Sequence, residues 1–241
     1  MKKLMYVLFF VPMLFLAQEN KGFILDATEI TIKLGEEASF IQGVKAWKEC
    51  YLENNGDDKW NMWRRIQGEG SVYIITGRMA NWAEFDAPPK DANKECYHVV
   101  MNLIMPHVEK IKSSIARSIP DWGSSEGLAN TGLVWVTYFK VNNSNAFSEV
   151  VGDVGAAMVS QGENRPAYWY RVIGGDPEDA DYFISNPYEK FSDLDMDEAS
   201  VWEVYEKAHG KKKMLETRDK LRGCLDDAWS YLYKRMADLS N

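Results

Sequence analysis

Histidine and cysteine are scarce in this chain, three of each among 241 residues. His98, His107 and His209 fall at no metal-ligand spacing and no H-E-x-x-H is present, so no metal site is expected. Cys50, Cys96 and Cys224 are too few, and odd in number, for a disulfide framework. One bridge, best placed between Cys50 and Cys96, and three buried free thiols both stay open. Basic residues are outnumbered, 28 against 36 acidic, for a formal net charge of −8. Such a surface repels a phosphate backbone, which excludes nucleic acid as a partner. A G-x-S-x-G elbow, a phosphate-binding glycine loop and a dinucleotide fingerprint are also missing. No catalytic residue and no cofactor is therefore assigned.

Long apolar runs are equally rare. The one example, Leu4 to Leu16, follows Lys2 and Lys3 and precedes Ala17-Gln18. A charged start, a short apolar stretch and a small residue read as a secretory signal over residues 1–18. The run is short for a bilayer span; an uncleaved anchor is the competing reading, because Phe15 is bulky where a small residue is usual. The expectation is a secreted or periplasmic protein with no stable membrane anchor. Hydrophobic residues at 46%, with 13% aromatics, suffice for a packed core.

What the sequence does have is self-similarity. Lys33 to Phe40, then Trp63-Arg64-Arg65-Ile66-Gln67-Gly68, Val72-Tyr73-Ile74-Ile75 and Trp82-Ala83-Glu84-Phe85 form one copy. Lys140 to Phe147, then Trp169-Tyr170-Arg171-Val172-Ile173-Gly174, Asp181-Tyr182-Phe183-Ile184 and Tyr188-Glu189-Lys190-Phe191 form the other. The W-x-R-x-x-G segments align without a gap. Ile30, Ile32 and Leu34 alternate as in a strand, and Phe40, Val44, Trp47 and Tyr51 make a helical stripe. Lys59–Gln67 and Ser71–Gly77 read as a hairpin. A helix is expected over Asn93–Ile119, with Val99 to Ile115 supplying its buried face and Pro106 kinking it. Pro120–Gly132 is the linker. Strand Leu133–Val141, helix Ala146–Gln161 with Ser144 or Asn145 as cap, and strands Pro166–Ile173 and Tyr182–Ser185 follow. From Ala199 the chain reads as helical to its end, interrupted at His209-Gly210. Asp193, Asp195, Asp197 and Glu198 lack the spacing of a calcium loop and read as a solvated linker.

Strand, helix, strand, strand, helix is a ferredoxin-like unit short of its last strand. Two such sheets, each with a bare face, bury those faces against one another. The K-x(6)-F helix start, the W-x-R-x-x-G hairpin and the aromatic-x-x-Phe exit resemble the dimeric α+β barrel superfamily, which includes antibiotic-biosynthesis-type monooxygenases, NIPSNAP-like and stress-responsive barrel proteins. The resemblance implies an α+β fold of two tandem ferredoxin-like repeats, over 24–122 and 130–241. Their antiparallel sheets would pack as an intramolecular pseudo-dimeric barrel with a long C-terminal helix. Haem-degrading members of the superfamily use an Asn, a Trp and an axial His; Asn81-Trp82 offers the first two with no His nearby. Chlorite-dismutase-like members need a proximal His in the second half, where His209 is the sole candidate.

Alternation sorts the strand faces. Met62 and Ile66, matched by Tyr168, Tyr170 and Val172, are expected under the helices, as are Ile32, Leu34, Phe139 and Val141. The opposite face would turn Lys33, Trp63, Arg65, Tyr138, Lys140, Trp169 and Arg171 into the barrel. Cations among indoles suit an amphipathic organic anion; the competing reading is packing, each Arg stacked on its Trp neighbours to close the seam. Three functions stay open. The first is a small-molecule-binding barrel for such an anion. The second is a cofactor-independent monooxygenase-like enzyme. The third is an interaction protein whose C-terminal helix docks a partner or a second copy as a homodimer.

Overall fold

The computed structural model describes residues 22–124, 131–163 and 165–241; the expected signal over 1–18 lies outside them. Among the described residues, no helix is long and apolar enough to cross a membrane. The chain begins with β1 (Ile24–Ile32), α1 (Glu37–Glu53) and the hairpin β2 (Trp60–Arg65) and β3 (Ser71–Met79). Two short helices follow, α2 (Asp91–Glu95) and α3 (Tyr97–Val99), then a π turn over Val100–Ile104 and a 3-10 turn over Met105–His107. Strand β4 (Val108–Ser118) ends this half. The second half runs β5 (Leu133–Val141), α4 (Ser144–Ser160), β6 (Tyr168–Val172), β7 (Tyr182–Tyr188), α5 (Val201–His209), α6 (Lys211–Gly223) and β8 (Leu225–Arg235).

The eight strands close a barrel in the order β1-β3-β2-β8-β5-β7-β6-β4, and neighbours are antiparallel throughout. Each half contributes four strands in the same relative order. The halves meet where β2 pairs with β8 and β4 with β6. Closure satisfies the backbone groups that two open sheets would leave along their edges.

β4 and β8 correct the sequence reading, which placed both segments in helices. Val108, Ile111 and Ile115 fit a helical stripe, yet they are β-branched and follow Pro106, which ends the helical turns instead of kinking a long helix. In β8 the alternation Trp229, Tyr231, Tyr233 is a period-two signal. Each strand supplies the fourth member of its sheet. Among the described residues no long C-terminal helix exists, so the docking role expected of it is withdrawn.

Helices cover the outer faces. Under α1, fully buried Phe40 packs with Ile32, Met62, Tyr73 and Leu239. Under α4, fully buried Phe147 packs with Tyr182, Cys224, Phe139 and Trp169. Burying one such ring contributes about 1.5–3 kcal/mol. A Cβ on Gly43 would sit 2.0 Å from the Leu103 carbonyl oxygen, so α1 and the π turn approach through a site only glycine fits. Asn143, one residue before the expected caps, holds α4 by accepting from the Ala146 N–H at 3.0 Å. Gly210, at φ 82°, breaks α5 from α6 as expected. Leu34, by contrast, is not under a helix; it follows the end of β1 and is fully exposed. The Cys50 and Cys96 sulfurs form a disulfide, and Cys224 is a buried free thiol.

Candidate functional site in the barrel interior

Side chains alternate along a strand, so every second residue of the eight strands points into the barrel. These residues surround a cavity of about 540 Å³. Seven aromatic residues, Trp63, Tyr138, Tyr170, Phe183, Trp229, Tyr231 and Tyr233, are among those that line it. Tyr170 stacks on Phe183 with centroids 4.7 Å apart, and Tyr138 stacks on Trp229 at 5.6 Å. The Trp63 indole N–H donates to Thr76 Oγ1 at 3.1 Å, fixing that ring. Stacked pairs hold the rings as flat walls, a shape that accepts another planar ring.

Polar groups punctuate the wall. The Tyr138 and Tyr233 hydroxyls lie 3.1 Å apart. Burial is the main cause that pushes the Tyr138 phenol up to about 12 and the Tyr233 phenol far higher, so both stay protonated near neutral pH. Burial likewise pushes Tyr170 up to about 12, with Arg78 opposing it. Glu29, Arg78, Lys112 and Asp179 also line the cavity. Lys112 stands opposite Glu29 in the β1–β4 ladder and bonds Asp179. The hydrogen bond to Asp179 is the leading cause that raises the Lys112 pKa. Asp57, Asp58 and Lys59 line it as well, so acidic groups outnumber basic ones, unlike the cationic interior expected.

The seven residues expected in the interior divide. Trp63 and Tyr138 line the cavity. Arg65 shares their face, with its guanidinium 4.7 Å from the Tyr231 ring centroid and a hydrogen bond to the Glu69 carbonyl. Lys140 stands at the rim, where its Nζ donates to the Pro177 carbonyl at 2.7 Å and lies 3.5 Å from Glu178. Lys33 lies beyond β1, exposed, donating to the Pro106 carbonyl. Trp169 belongs to the layer beneath α4, against Phe139 and Trp122, and Arg171 is exposed on that outer side.

Register explains the error. Trp63 pairs with Ile74, whereas Phe183, the interior residue of β7, pairs with Tyr170 and not with Trp169. The gap-free W-x-R-x-x-G alignment is thus one residue out of structural register, and a one-residue slip exchanges the faces of a strand. Tyr168, Tyr170 and Val172, expected beneath the helices, face inward for the same reason. Glu29, Arg78, Lys112, Asp179, Phe183, Trp229, Tyr231 and Tyr233 were missed. Of these only the alternating aromatics of β8 carried a legible signal.

The histidines do not serve this cavity. His98 is exposed, with Nδ1 2.8 Å from the Glu95 carbonyl. His107 pairs with Glu36 at 2.9 Å, and His209, exposed, packs its ring 4.6 Å from that of Tyr205. Trp82 is exposed and Asn81 caps the turn after β3. These residues do not fit a haem with an axial His. Among the described residues, no cluster of His, Cys, Asp and Glu could hold a metal ion, the acidic run after β7 included.

No family model and no curated protein matches the chain. Solved structures do. A candidate monooxygenase from Lactobacillus acidophilus superposes with a TM-score of 0.53 at 10% identity, covering 89% of this chain and 94% of the other. An anthrone oxidase-like protein gives 0.51 at 10% identity, covering 90% and 92%. A variant chlorite dismutase from Candidatus Nitrospira defluvii, in complex with cyanide, gives 0.51 at 10%, covering 89% and 92%. These neighbours are dimeric α+β barrels. That fold is the class to which this chain's architecture belongs, here with all eight strands of the barrel in one polypeptide.

Proposed function

We propose that the chain is a cofactor-independent, monooxygenase-like enzyme whose site is the barrel interior and whose substrate is a planar aromatic compound. The carrying observation is the cavity itself: flat, stacked aromatic walls with hydroxyl donors and carboxylates among them. The monooxygenase and anthrone oxidase-like names among the structural neighbours favour oxidation over simple carriage. For a ring-activated methylene the balanced reaction is CH2 plus O2 giving C=O plus H2O, with the substrate supplying all four electrons. The protein's part is to bind the ring, exclude water and accept a proton. The test is oxygen uptake with anthrone as probe, corrected for its spontaneous oxidation. Uptake above the buffer rate that is lost on unfolding supports the reading; anthrone bound without faster uptake sinks it.

A second reading, carriage of an amphipathic organic anion, is favoured by Arg78 and Lys112 on the cavity wall. Native mass spectrometry of protein as purified separates the two readings, since a carrier retains its cargo and an enzyme releases product. Two further inferences accompany the proposal. The halves are copies of one ferredoxin-like unit, supported by matching hydroxyl pairs, Thr28 with Ser113 at 3.1 Å and Thr137 with Ser230 at 2.8 Å. Bulges at Thr31/Ile32 and Lys140/Val141 add to that support. Export to an oxidising compartment is supported by the Cys50–Cys96 bridge.

A further inference from the structure

We propose that Glu29, Tyr138 and Tyr233 form an enolising centre, and that the compound held in the barrel is an aryl ketone bearing a hydrogen beside its carbonyl. This rests on the interior cavity being the working site. The three residues come from β1, β5 and β8 and line the one cavity. Two hydroxyls in contact use one O–H between them, and the accepting hydroxyl keeps its own proton to donate elsewhere. An apolar, aromatic surround makes that donor a strong one for an oxygen gaining negative charge. Glu29 acts on both hydroxyls through space, not by a hydrogen bond. It supplies what the tyrosines lack, a proton acceptor on the same cavity.

The step balances without an oxidant. The carbon–hydrogen bond breaks, its electron pair becomes the new carbon–carbon double bond, and the carbonyl π pair moves to oxygen. The tyrosine O–H meets that oxygen, and the Glu29 carboxylate holds the proton until it returns to carbon. Glu29 is half-buried, on a strand whose inner face looks onto the aromatic wall. Lys112, opposite Glu29 in the β1–β4 ladder, bonds Asp179 and acts on Glu29 only through space.

The probe is 1-tetralone in deuterated buffer, its α-proton signal followed by NMR and its binding by quenching of tryptophan fluorescence. Wild-type protein is expected to speed α-exchange about 10²–10⁴-fold over buffer. Glu29→Gln should return the rate to that of buffer while still binding the probe. Tyr138→Phe should lose roughly 10²-fold in exchange, with Tm reporting that each variant folds. Binding with exchange at the buffer rate, or full exchange by Glu29→Gln, overturns the enolising centre and leaves the cavity reading standing. Failure of 1-tetralone to bind at all overturns both.

Discussion

The two helical layers solve one problem by different means. In the first half α1 is backed by short pieces: α2 of five residues, α3 of three, then a π turn and a 3-10 turn. In the second half α4 is backed by α5 and α6, of nine and thirteen residues. Broken helices bury less and fix less, and the first half carries the disulfide, tying Cys50 on α1 to Cys96 between α2 and α3. The second half packs Tyr205, Met214 and Ala157 together and leaves Cys224 free. A covalent tie stands where a continuous helix pair is missing.

The comparison can be broken at its centre first. Phe40→Ala and Phe147→Ala each remove a fully buried ring from equivalent helices. Each is expected to cost about 3–5 kcal/mol by denaturant unfolding; a large disparity would show that one layer is dispensable. Replacing Cys50 and Cys96 together by Ala opens a loop of sequence separation 46. About 2–4 kcal/mol should be lost, with hydrogen exchange rising over residues 91–107 and unchanged over 201–223. Equal loosening in both segments would refute the division of labour. Asn143→Ala should cost about 1 kcal/mol by removing the α4 cap. Glu36→Ala at the same place before α1 should cost less at the cap, since its side chain makes no capping bond.

The smallest effect is a pH dependence. Glu37, in the first turn of α1, accepts from Arg64 at 2.7 Å and from the Tyr73 hydroxyl at 2.7 Å. The Arg64 hydrogen bond is the leading cause that holds its carboxyl below the ordinary glutamate range. A depressed carboxylate contributes stability above its unfolded pKa and loses it as pH falls through the folded one. The Tm advantage of wild type over Glu37→Gln should therefore be full at neutral pH and shrink below about 4.5. An advantage that grows with acidity would contradict the assignment.

Much of the fold was legible because it rests on local periodicity. The α1 stripe, the two hairpins, β5 and the Gly210 break are each written in spacing or in a residue with few conformations. β4 was not, since Val108, Ile111 and Ile115 satisfy two periods at once. The site was less legible still. Trp63, Arg65 and Tyr138 were placed on the inner face, whereas Trp169 and Arg171 were lost to one residue of register. Glu29 sits between Thr28 and Ile30 in an ordinary half-buried strand, with nothing around it to announce a cavity.

By itself the sequence determined where most of the helices and hairpin strands fall, because hydrophobic period and turn residues act over a few positions. Which face of each strand looks inward was settled elsewhere. Ladder pairing across β2–β8 and β4–β6 sets register, and register decides which rings surround the cavity and which lie under helices. Those contacts join residues far apart in the chain, and only closure of the barrel brings them together.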